Sequence, residues 1–229
     1  MTWWLLSFSR SGSARYLSHL DTARALQRTF ARAGLPLALS QGMRPKPRIS
    51  LPLPLPVGAA GHDELAVVEV PDETRGGTAA LRALRAAAPP GLAPNTIVVA
   101  GERHPRPQPC DADYVSLLDG DAGAISAAVE RYAEEEHTIL QRVSPKGSRT
   151  LDLKDFVVPT AVVAVAGGAR IGFTIRYRED GAARPQEFVD LIARWAGVEP
   201  AMRGLERLRV VWEGLPPGLD PGAERSESP

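Results

Sequence analysis

A histidine and a carboxylate lie two residues apart near the N-terminus, at His19 and Asp21. A histidine beside a carboxylate can act as a general base or acid. The preceding Ser18 has the position of a helix N-cap, and Asp21 takes the place of the glutamate in a capping box. Because the free amides of a first helical turn attract anions, we expect Arg15, Tyr16 and Ser18 to bind an anion beside a catalytic His19 and Asp21. Alternatively, Asp21 only completes the cap and His19 is an ordinary surface residue.

The helix that begins after Ser18 has two stripes of side chains. Arg24, Arg28 and Arg32 are four residues apart and form a basic stripe. Gly34 ends the helix. Apolar residues at spacings of three and four predict the buried face, which consists of Leu20, Ala23, Leu26, Phe30 and Ala33.

A loop rich in cations follows this helix. Pro45 and Pro47 exclude regular structure because they lack amide donors and restrict the residues before them. Cations beside a flexible glycine suit contacts with phosphates of a nucleic-acid backbone, and residues 144–149 form a second, smaller loop of this kind. A solvated surface loop is the alternative. The residues predicted to bind a nucleic acid or another anion are Arg15, Tyr16, Ser18, Arg24, Arg28, Gln41, Gly42, Arg44, Lys46, Arg48, Lys146 and Arg149.

Charge is unevenly distributed along the chain. The whole sequence has 27 basic and 27 acidic side chains, but the first fifty residues contain a single acid, Asp21, among many Lys and Arg. This asymmetry indicates that the N-terminal part faces a polyanion. The alternative is that basic and acidic surfaces of two domains face each other.

Several classes of site are not indicated by the sequence. The four histidines lack metal-ligand spacing, Cys110 is the single cysteine, and no dinucleotide fingerprint, P-loop or nucleophile elbow occurs. We therefore expect no bound cofactor. No apolar run reaches the length of a membrane span, and the N-terminal residues do not have the pattern of a signal peptide. We expect a cytoplasmic protein.

The predicted elements have a repeated order. Strands at 3–9, 35–40, 64–70 and 95–101 alternate with two helices, which Ser18 and Thr78 are predicted to cap, and residues 48–57 form an extended, proline-rich segment. After a stiff connector at 104–109, strands are predicted at 112–118, 138–143, 161–165, 170–178 and 208–213, with helices at 122–135 and from Pro185. This order predicts an α+β protein with two tandem ferredoxin-like (βαββαβ) halves. The predicted domains are 1–108 and 109–214, followed by a disordered tail at 215–229.

Two stretches of the sequence resemble a known family. They are Tyr16-Leu-Ser-His-Leu-Asp21 with its continuation through Arg28, Gly34-Leu-Pro36, Ser40-Gln-Gly42 and Pro47-Arg-Ile-Ser50 to Gly58, and then Lys146-Gly147 with Asp152. These residues are similar to the radical-SAM-linked family of uncharacterised bacterial proteins. The resemblance implies a radical SAM protein as partner, because family members occur fused to such proteins or as separate chains. It implies an association and not an activity.

The chain departs from this family in the cationic loop. Family members usually have Gly-Phe-Asn-Pro-His-Pro where this chain has Gly42-Met-Arg-Pro-Lys-Pro47. Lys46 thus replaces a histidine, which argues against proton transfer in the loop and keeps its positive charge. The chain also lacks a CxxxCxxC motif, so it cannot hold a radical SAM iron–sulfur cluster itself.

Three hypotheses follow. The first is an RNA-binding or substrate-presenting accessory protein that works with a radical SAM partner in tRNA or rRNA modification. The second is an RNA-processing or RNA-modifying enzyme that uses His19 and Asp21. The third is a protein-interaction module without RNA, in which residues 51–57 form an edge strand for a partner chain. By analogy of architecture alone, tandem ferredoxin-like halves are similar to RNA-binding endoribonucleases and pseudouridine synthases.

Overall fold

The chain divides into two compact units. A computed structural model describes residues 1–74, 76–144, 147–199 and 204–215. Of these, Met1–Pro109 and residues 209–215 form the first unit, and Cys110–Leu208 form the second. The predicted domains were 1–108 and 109–214, so the prediction placed residues 209–214 in the second domain and not in the first. That the two domains are independent stays a prediction. Of the predicted tail, only Leu215 lies within the described residues.

The first unit is an antiparallel sheet with two helices. β1 lies between β3 and β4, and the short β2 pairs with β3 at Val67 and Val68. The strand order is therefore β4-β1-β3-β2, with every neighbouring pair antiparallel. Its elements are β1 (Thr2–Arg10), a 3₁₀ helix (Gly12–Tyr16), α1 (His19–Arg32), β2 (Ile49–Ser50), β3 (Ala60–Val70), α2 (Thr78–Ala87) and β4 (Leu92–Gly101).

Both faces of this sheet carry buried apolar side chains. Successive side chains of a strand point to opposite faces, and β1 supplies Trp4, Leu6 and Phe8 to the face that packs on α1 and α2. Trp3 and Leu5 belong to a second cluster on the other face. The apolar runs in β1 and β3 lack strict alternation because neither face is left to solvent.

α1 begins and ends where local signals predicted. Ser18 is the N-cap, and its Oγ accepts a hydrogen bond from the Asp21 amide at 3.1 Å. Gly34 follows the helix with φ 69°, a left-handed conformation that glycine adopts without a steric penalty. The Leu35 amide donates to the Phe30 carbonyl at 3.0 Å and closes this end.

The predicted buried face of α1 is partly wrong. Leu20 is 58% exposed, whereas Thr22 and Thr29 are buried. Their hydroxyls donate to the carbonyls of Ser18 and Ala25, both at 2.9 Å. These internal hydrogen bonds let threonine lie in the core, so the buried face is rotated from the purely apolar stripe.

Other predicted elements of this unit are also corrected. Residues 35–40 form only an isolated bridge between Leu39 and Pro47. The extended segment 48–57 contains two strand residues, those of β2, since proline cannot donate to a ladder. Gly77, not Thr78, is the N-cap of α2.

The second unit has its own antiparallel strands and two helices. β9 lies between β5 and β8, and β6 and β7 form a separate hairpin. The predicted loop at 144–149 is wrong in part, because Gly147–Arg149 belong to β7. The elements are β5 (Gln108–Asp119), α3 (Ala122–Glu134), β6 (Ile139–Ser144), β7 (Gly147–Asp152), a 3₁₀ helix (Leu153–Asp155), β8 (Val157–Val165), β9 (Gly168–Arg176), α4 (Pro185–Ala196) and β10 (Glu206–Glu213), which contains the boundary between the units.

The described residues thus form a mixed α+β protein with four α-helices and mostly antiparallel strands. The first unit has a β-α-β-β-α-β order in which β2 takes the place of the strand predicted at 35–40. Two ferredoxin-like halves in tandem stay a prediction. None of the helices in the described ranges is long and apolar enough to cross a membrane.

Candidate functional site

His19 is the first residue of α1 and is exposed. Its side chain lines a small cavity together with Phe8, Arg10, Thr22, Leu51, Leu53, Leu55, Glu64 and Leu65. The volume of this cavity is about 10 Å³, which is room for one water molecule. The structure therefore places His19 beside Arg10 and Glu64, at a cavity too small for a substrate.

Asp21 is held by its own helix and not by His19. Its Oδ2 accepts from the Ser18 hydroxyl at 2.7 Å, and its Oδ1 accepts from Arg24 Nη1 at 3.2 Å. The Ser18 hydrogen bond, followed by that of Arg24, holds the pKa of Asp21 below its ordinary value. Both oxygens of the Asp21 carboxylate are thus engaged within the first turns of α1, and a catalytic role for His19 and Asp21 stays a prediction.

Arg10 is the residue at this site that the sequence did not indicate. It is 1% exposed. Its Nη1 donates to the Leu17 carbonyl at 3.0 Å and to Thr22 Oγ1 at 3.1 Å. Its Nη2 donates to the carbonyls of Leu55, Pro56 and Ala59 at 3.4, 2.8 and 3.2 Å. One guanidinium thus joins β1, the start of α1 and the proline-rich segment.

Arg15 also holds the proline-rich segment. Its Nε donates to the Gly58 carbonyl at 2.5 Å, and the Gly58 amide donates to the Arg15 carbonyl at 2.8 Å. The guanidinium lies 5.7 Å from the centroid of the Tyr16 ring, which is 66% exposed. Arg15 therefore has a structural task at the position where we predicted an anion contact.

The cationic loop has a fixed base and an exposed tip. The Ser40 amide donates to the Lys46 carbonyl at 2.8 Å, and the Lys46 amide donates to Ser40 Oγ at 3.0 Å. Every residue of the tip, 41–46, is exposed, and Met43 is exposed completely. The tip therefore presents Arg44 and Lys46 to solvent from a closed loop.

Arg48 lies at the base of this loop and differs from the tip cations. Its Nη1 forms an ion pair with Glu69, whose side chain is 7% exposed. Its guanidinium is also 5.7 Å from the ring centroid of Trp3. Arg48 is thus engaged with β3 and β1 within the unit.

Four cations on α1 and the loop tip are exposed and have no carboxylate partner within the described chain. They are Arg28 and Arg32 on α1, and Arg44 and Lys46 on the loop tip. Arg24, in contrast, pairs with Asp21. The predicted cationic residues therefore separate into a structural group and a group that is available to a ligand.

Two predicted anion contacts belong to the second unit. Lys146 lies outside the described residues. Arg149 is in β7, and its Nη2 donates to the Asp180 carbonyl. Its neighbour on the hairpin, Arg142, forms a two-pronged contact with Glu187 at 2.5 and 2.6 Å. These arginines attach the hairpin to α4 and to the segment before it.

A second histidine–carboxylate pair occurs in this unit. His137 Nδ1 and Asp152 Oδ2 are 2.7 Å apart, and Asp152 Oδ1 accepts from the amides of Thr138 and Lys154. The hydrogen bond to Asp152 raises the pKa of His137. Burial alone would raise the pKa of Asp152, but the Thr138 amide and the His137 ring outweigh it and lower that pKa.

The pKa of His137 is expected to fall toward its ordinary value of about 6.5 in an Asp152→Asn variant, which nuclear magnetic resonance titration of the imidazole would measure. The pKa of His137 is higher in the folded chain than in the unfolded chain. The hydrogen bond to Asp152 therefore stabilises the fold fully at pH values below the unfolded-state pKa of His137, and this stabilisation is lost as the pH rises through the folded-state pKa. Asp155→Asn is the matched control, because Asp155 lies nearby without a hydrogen bond to the ring. Equal shifts in both variants would contradict the assignment.

The chain can be placed in a family. A family model described as "Uncharacterized protein conserved in bacteria (DUF2344)" matches residues 4–185. The chain belongs to this family. The matched range includes both stretches that carried the resemblance to radical-SAM-linked proteins, but none of the comparisons names a radical SAM protein.

The chain shares little sequence with the solved structures that it resembles. No curated protein matches the chain. A chain in the crystal structure of a Cbf5-Nop10-Gar1 complex is 15% identical with a TM-score of 0.48, covering 90% of this chain and 48% of that chain. The present chain thus spans about half the length of that protein. An unknown protein from Galdieria sulphuraria is 15% identical with a TM-score of 0.24, covering 92% and 98%. Both similarities are too weak to carry an argument about function.

The described residues also bear on metal binding. Within them, no group of three or more His, Cys, Asp or Glu side chains is arranged to hold a metal ion. The polar side chains that meet at the His19 cavity are instead an arginine, a threonine and a glutamate.

Proposed function

We propose that this family member is an RNA-binding or substrate-presenting accessory protein that works with a radical SAM partner in the modification of tRNA or rRNA. The observation that carries the proposal is the set of exposed cations Arg28, Arg32, Arg44 and Lys46, which lack a carboxylate partner in the described chain. Cations of this kind neutralise backbone phosphates and release counterions, which supplies affinity without dependence on sequence.

The two parts of this cationic set suit a backbone contact. Arg28 and Arg32 are one helical turn apart, roughly 6 Å along the axis. Arg44 and Lys46 project from a loop whose ends are hydrogen-bonded at Ser40. Because the loop is already closed, less conformational entropy is lost when a ligand orders its side chains.

Binding has more support than catalysis at the predicted pair. The cavity beside His19 has room for one water molecule, and Asp21 is hydrogen-bonded to Ser18 and Arg24. An RNA-modifying enzyme that uses His19 and Asp21 would need both groups near a bound substrate. The accessory role needs only exposed cations.

The radical SAM partner and the tandem ferredoxin-like architecture are the finer parts of the proposal. The partner is supported by the resemblance of residues 16–58. The architecture is supported by the strand order β4-β1-β3-β2 and the β-α-β-β-α-β sequence of elements in the first unit. The third hypothesis, an edge strand at 51–57 for a partner chain, stays a prediction; without a partner, this segment forms no strand.

The proposal predicts a specific loss of RNA affinity. An Arg28→Ala/Arg44→Ala variant is expected to bind single-stranded RNA about tenfold more weakly. The slope of the logarithm of the binding constant against the logarithm of the salt concentration should become shallower by about 1 to 2. Fluorescence anisotropy over a range of salt concentrations measures both quantities.

The control is Arg82→Ala/Arg170→Ala, which removes the same charge from two exposed arginines on α2 and β9. If the control variant loses as much affinity as the test variant, general electrostatics account for the effect. If wild-type binding does not respond to salt, the cationic surface is not an RNA contact.

A further inference from the structure

The connector between β4 and β5 has more structure than a spacer requires. Pro105 and Pro107 are buried, whereas Arg103, His104 and Arg106 are exposed. The two prolines therefore hold the backbone against the first unit. The three remaining side chains project from a segment that proline rings restrict.

These side chains line an open depression of about 680 Å³ in the first unit. Its other lining residues are Ala100, Pro105, Gly214 and Leu215. Pockets that take small organic ligands have volumes of about 300–1,000 Å³. By size, this depression can take a ligand that the water-sized cavity at His19 cannot.

The walls of the depression are packed on the core. The His104 ring contacts the Trp3 ring edge to face, with centroids 4.1 Å apart. A Cβ at residue 214 would lie 2.7 Å from the Arg106 carbonyl oxygen, and Gly214 has φ 73°. The left-handed φ and the short distance both require glycine at residue 214, where the backbone passes close to that of Arg106. Leu215 packs on the cluster that contains Trp3.

The charge of the depression is positive and available. Within the described chain, Arg103 and Arg106 take part in no hydrogen bond, ion pair or ring contact. The adjacent acid, Glu102, pairs with neither of them. Two free guanidinium groups, a histidine and an apolar wall thus surround one space.

We propose that this depression binds an organic phosphate of nucleotide size. Guanidinium groups bind phosphate oxygens through paired, charge-assisted hydrogen bonds. Ala100, Pro105 and Leu215 offer apolar contact to the uncharged part of the ligand. The phosphate can come from a free mononucleotide or from an RNA strand. The inference does not depend on RNA binding by α1 and the loop tip, because it uses different residues.

Isothermal titration calorimetry at low salt tests the proposal. The probes are the four ribonucleoside 5′-monophosphates, the corresponding nucleosides, and a single-stranded RNA. The full chain is compared with an Arg103→Ala/Arg106→Ala variant and with the Arg82→Ala/Arg170→Ala control. We expect at least one monophosphate, or the RNA, to bind about tenfold more weakly to the Arg103/Arg106 variant and equally well to the control.

The outcomes distinguish the source of the phosphate. A loss of monophosphate affinity identifies a free nucleotide, and a loss confined to the RNA identifies a strand. Equal affinity of a nucleoside and its monophosphate would overturn the proposal, as would unchanged binding of every probe by the Arg103/Arg106 variant. The proposed role of Arg28 and Arg44 is tested by their own variant, so each proposal can fail separately.

Discussion

Replacing Arg10 by alanine is expected to destabilise the first unit by about 3–5 kcal/mol. The Arg10 side chain is buried and donates to five acceptors in two segments of the chain, residues 17–22 and 55–59. Each buried acceptor that loses its donor costs about 1–3 kcal/mol, unless water or a local shift replaces the hydrogen bond. Because water or local shifts replace some of the five hydrogen bonds, the expected total is about 3–5 kcal/mol and not the full sum over all five acceptors.

The acceptors of Arg10 explain why the loss is not local. The Thr22 hydroxyl, which accepts from Arg10, also donates to the Ser18 carbonyl at the start of α1. The carbonyls of Leu55 and Pro56 belong to a segment that has no sheet ladder to hold it. Without Arg10, the helix start and the proline-rich segment lose a common attachment.

Urea denaturation followed by tryptophan fluorescence measures this effect, since Trp3 and Trp4 lie in the same unit. Arg10→Lys keeps the charge but cannot span both groups of acceptors, so we expect it to recover only part of the stability. Arg28→Ala, on the exposed face of α1, should change the free energy of unfolding by less than about 0.5 kcal/mol. A similarly small change for Arg10→Ala would contradict the role assigned to Arg10.

Local signals predicted the parts of this site that depend on neighbours in sequence. The N-cap at Ser18 and the glycine after α1 each act within a few residues of their partners. The same signals placed His19 and Asp21 correctly at the first turn of the helix. They also offered the cap as the alternative to catalysis for Asp21, and the hydrogen bonds of its carboxylate agree with that alternative.

The remaining parts depend on contacts between residues far apart in sequence. Arg10 meets the carbonyl of Ala59, and Arg48 meets Glu69, across separations that no periodic pattern encodes. In the sequence, an arginine at the end of a strand or in a loop is typical of a surface residue. The connector at 104–109 was predicted only as a stiff link. It forms the wall of a depression because it contacts Trp3 and Gly214, which are both about 100 residues away in sequence.

Arg48→Ala is expected to lower the stability of the first unit by about 1–3 kcal/mol, because it leaves the buried Glu69 carboxylate without its cation. For a protein of this size, that corresponds to a fall of roughly 2–4 °C in Tm per kcal/mol. Arg44→Ala, four residues earlier on the exposed tip, should leave Tm unchanged. Differential scanning calorimetry of the two variants makes the comparison.

A double-mutant cycle separates the structural role of Arg48 from a direct contact with RNA. Glu69→Gln removes the negative charge, so Arg48→Ala should cost less stability in that background than in the wild type. In the opposite result, Arg48→Ala would leave Tm unchanged and weaken RNA binding as Arg44→Ala does. Arg48 would then be a phosphate contact, as its position in the cationic loop had predicted, and the ion pair with Glu69 would contribute little. The burial of Glu69 favours the first result, because an acid that is 7% exposed cannot recover the lost interaction from solvent.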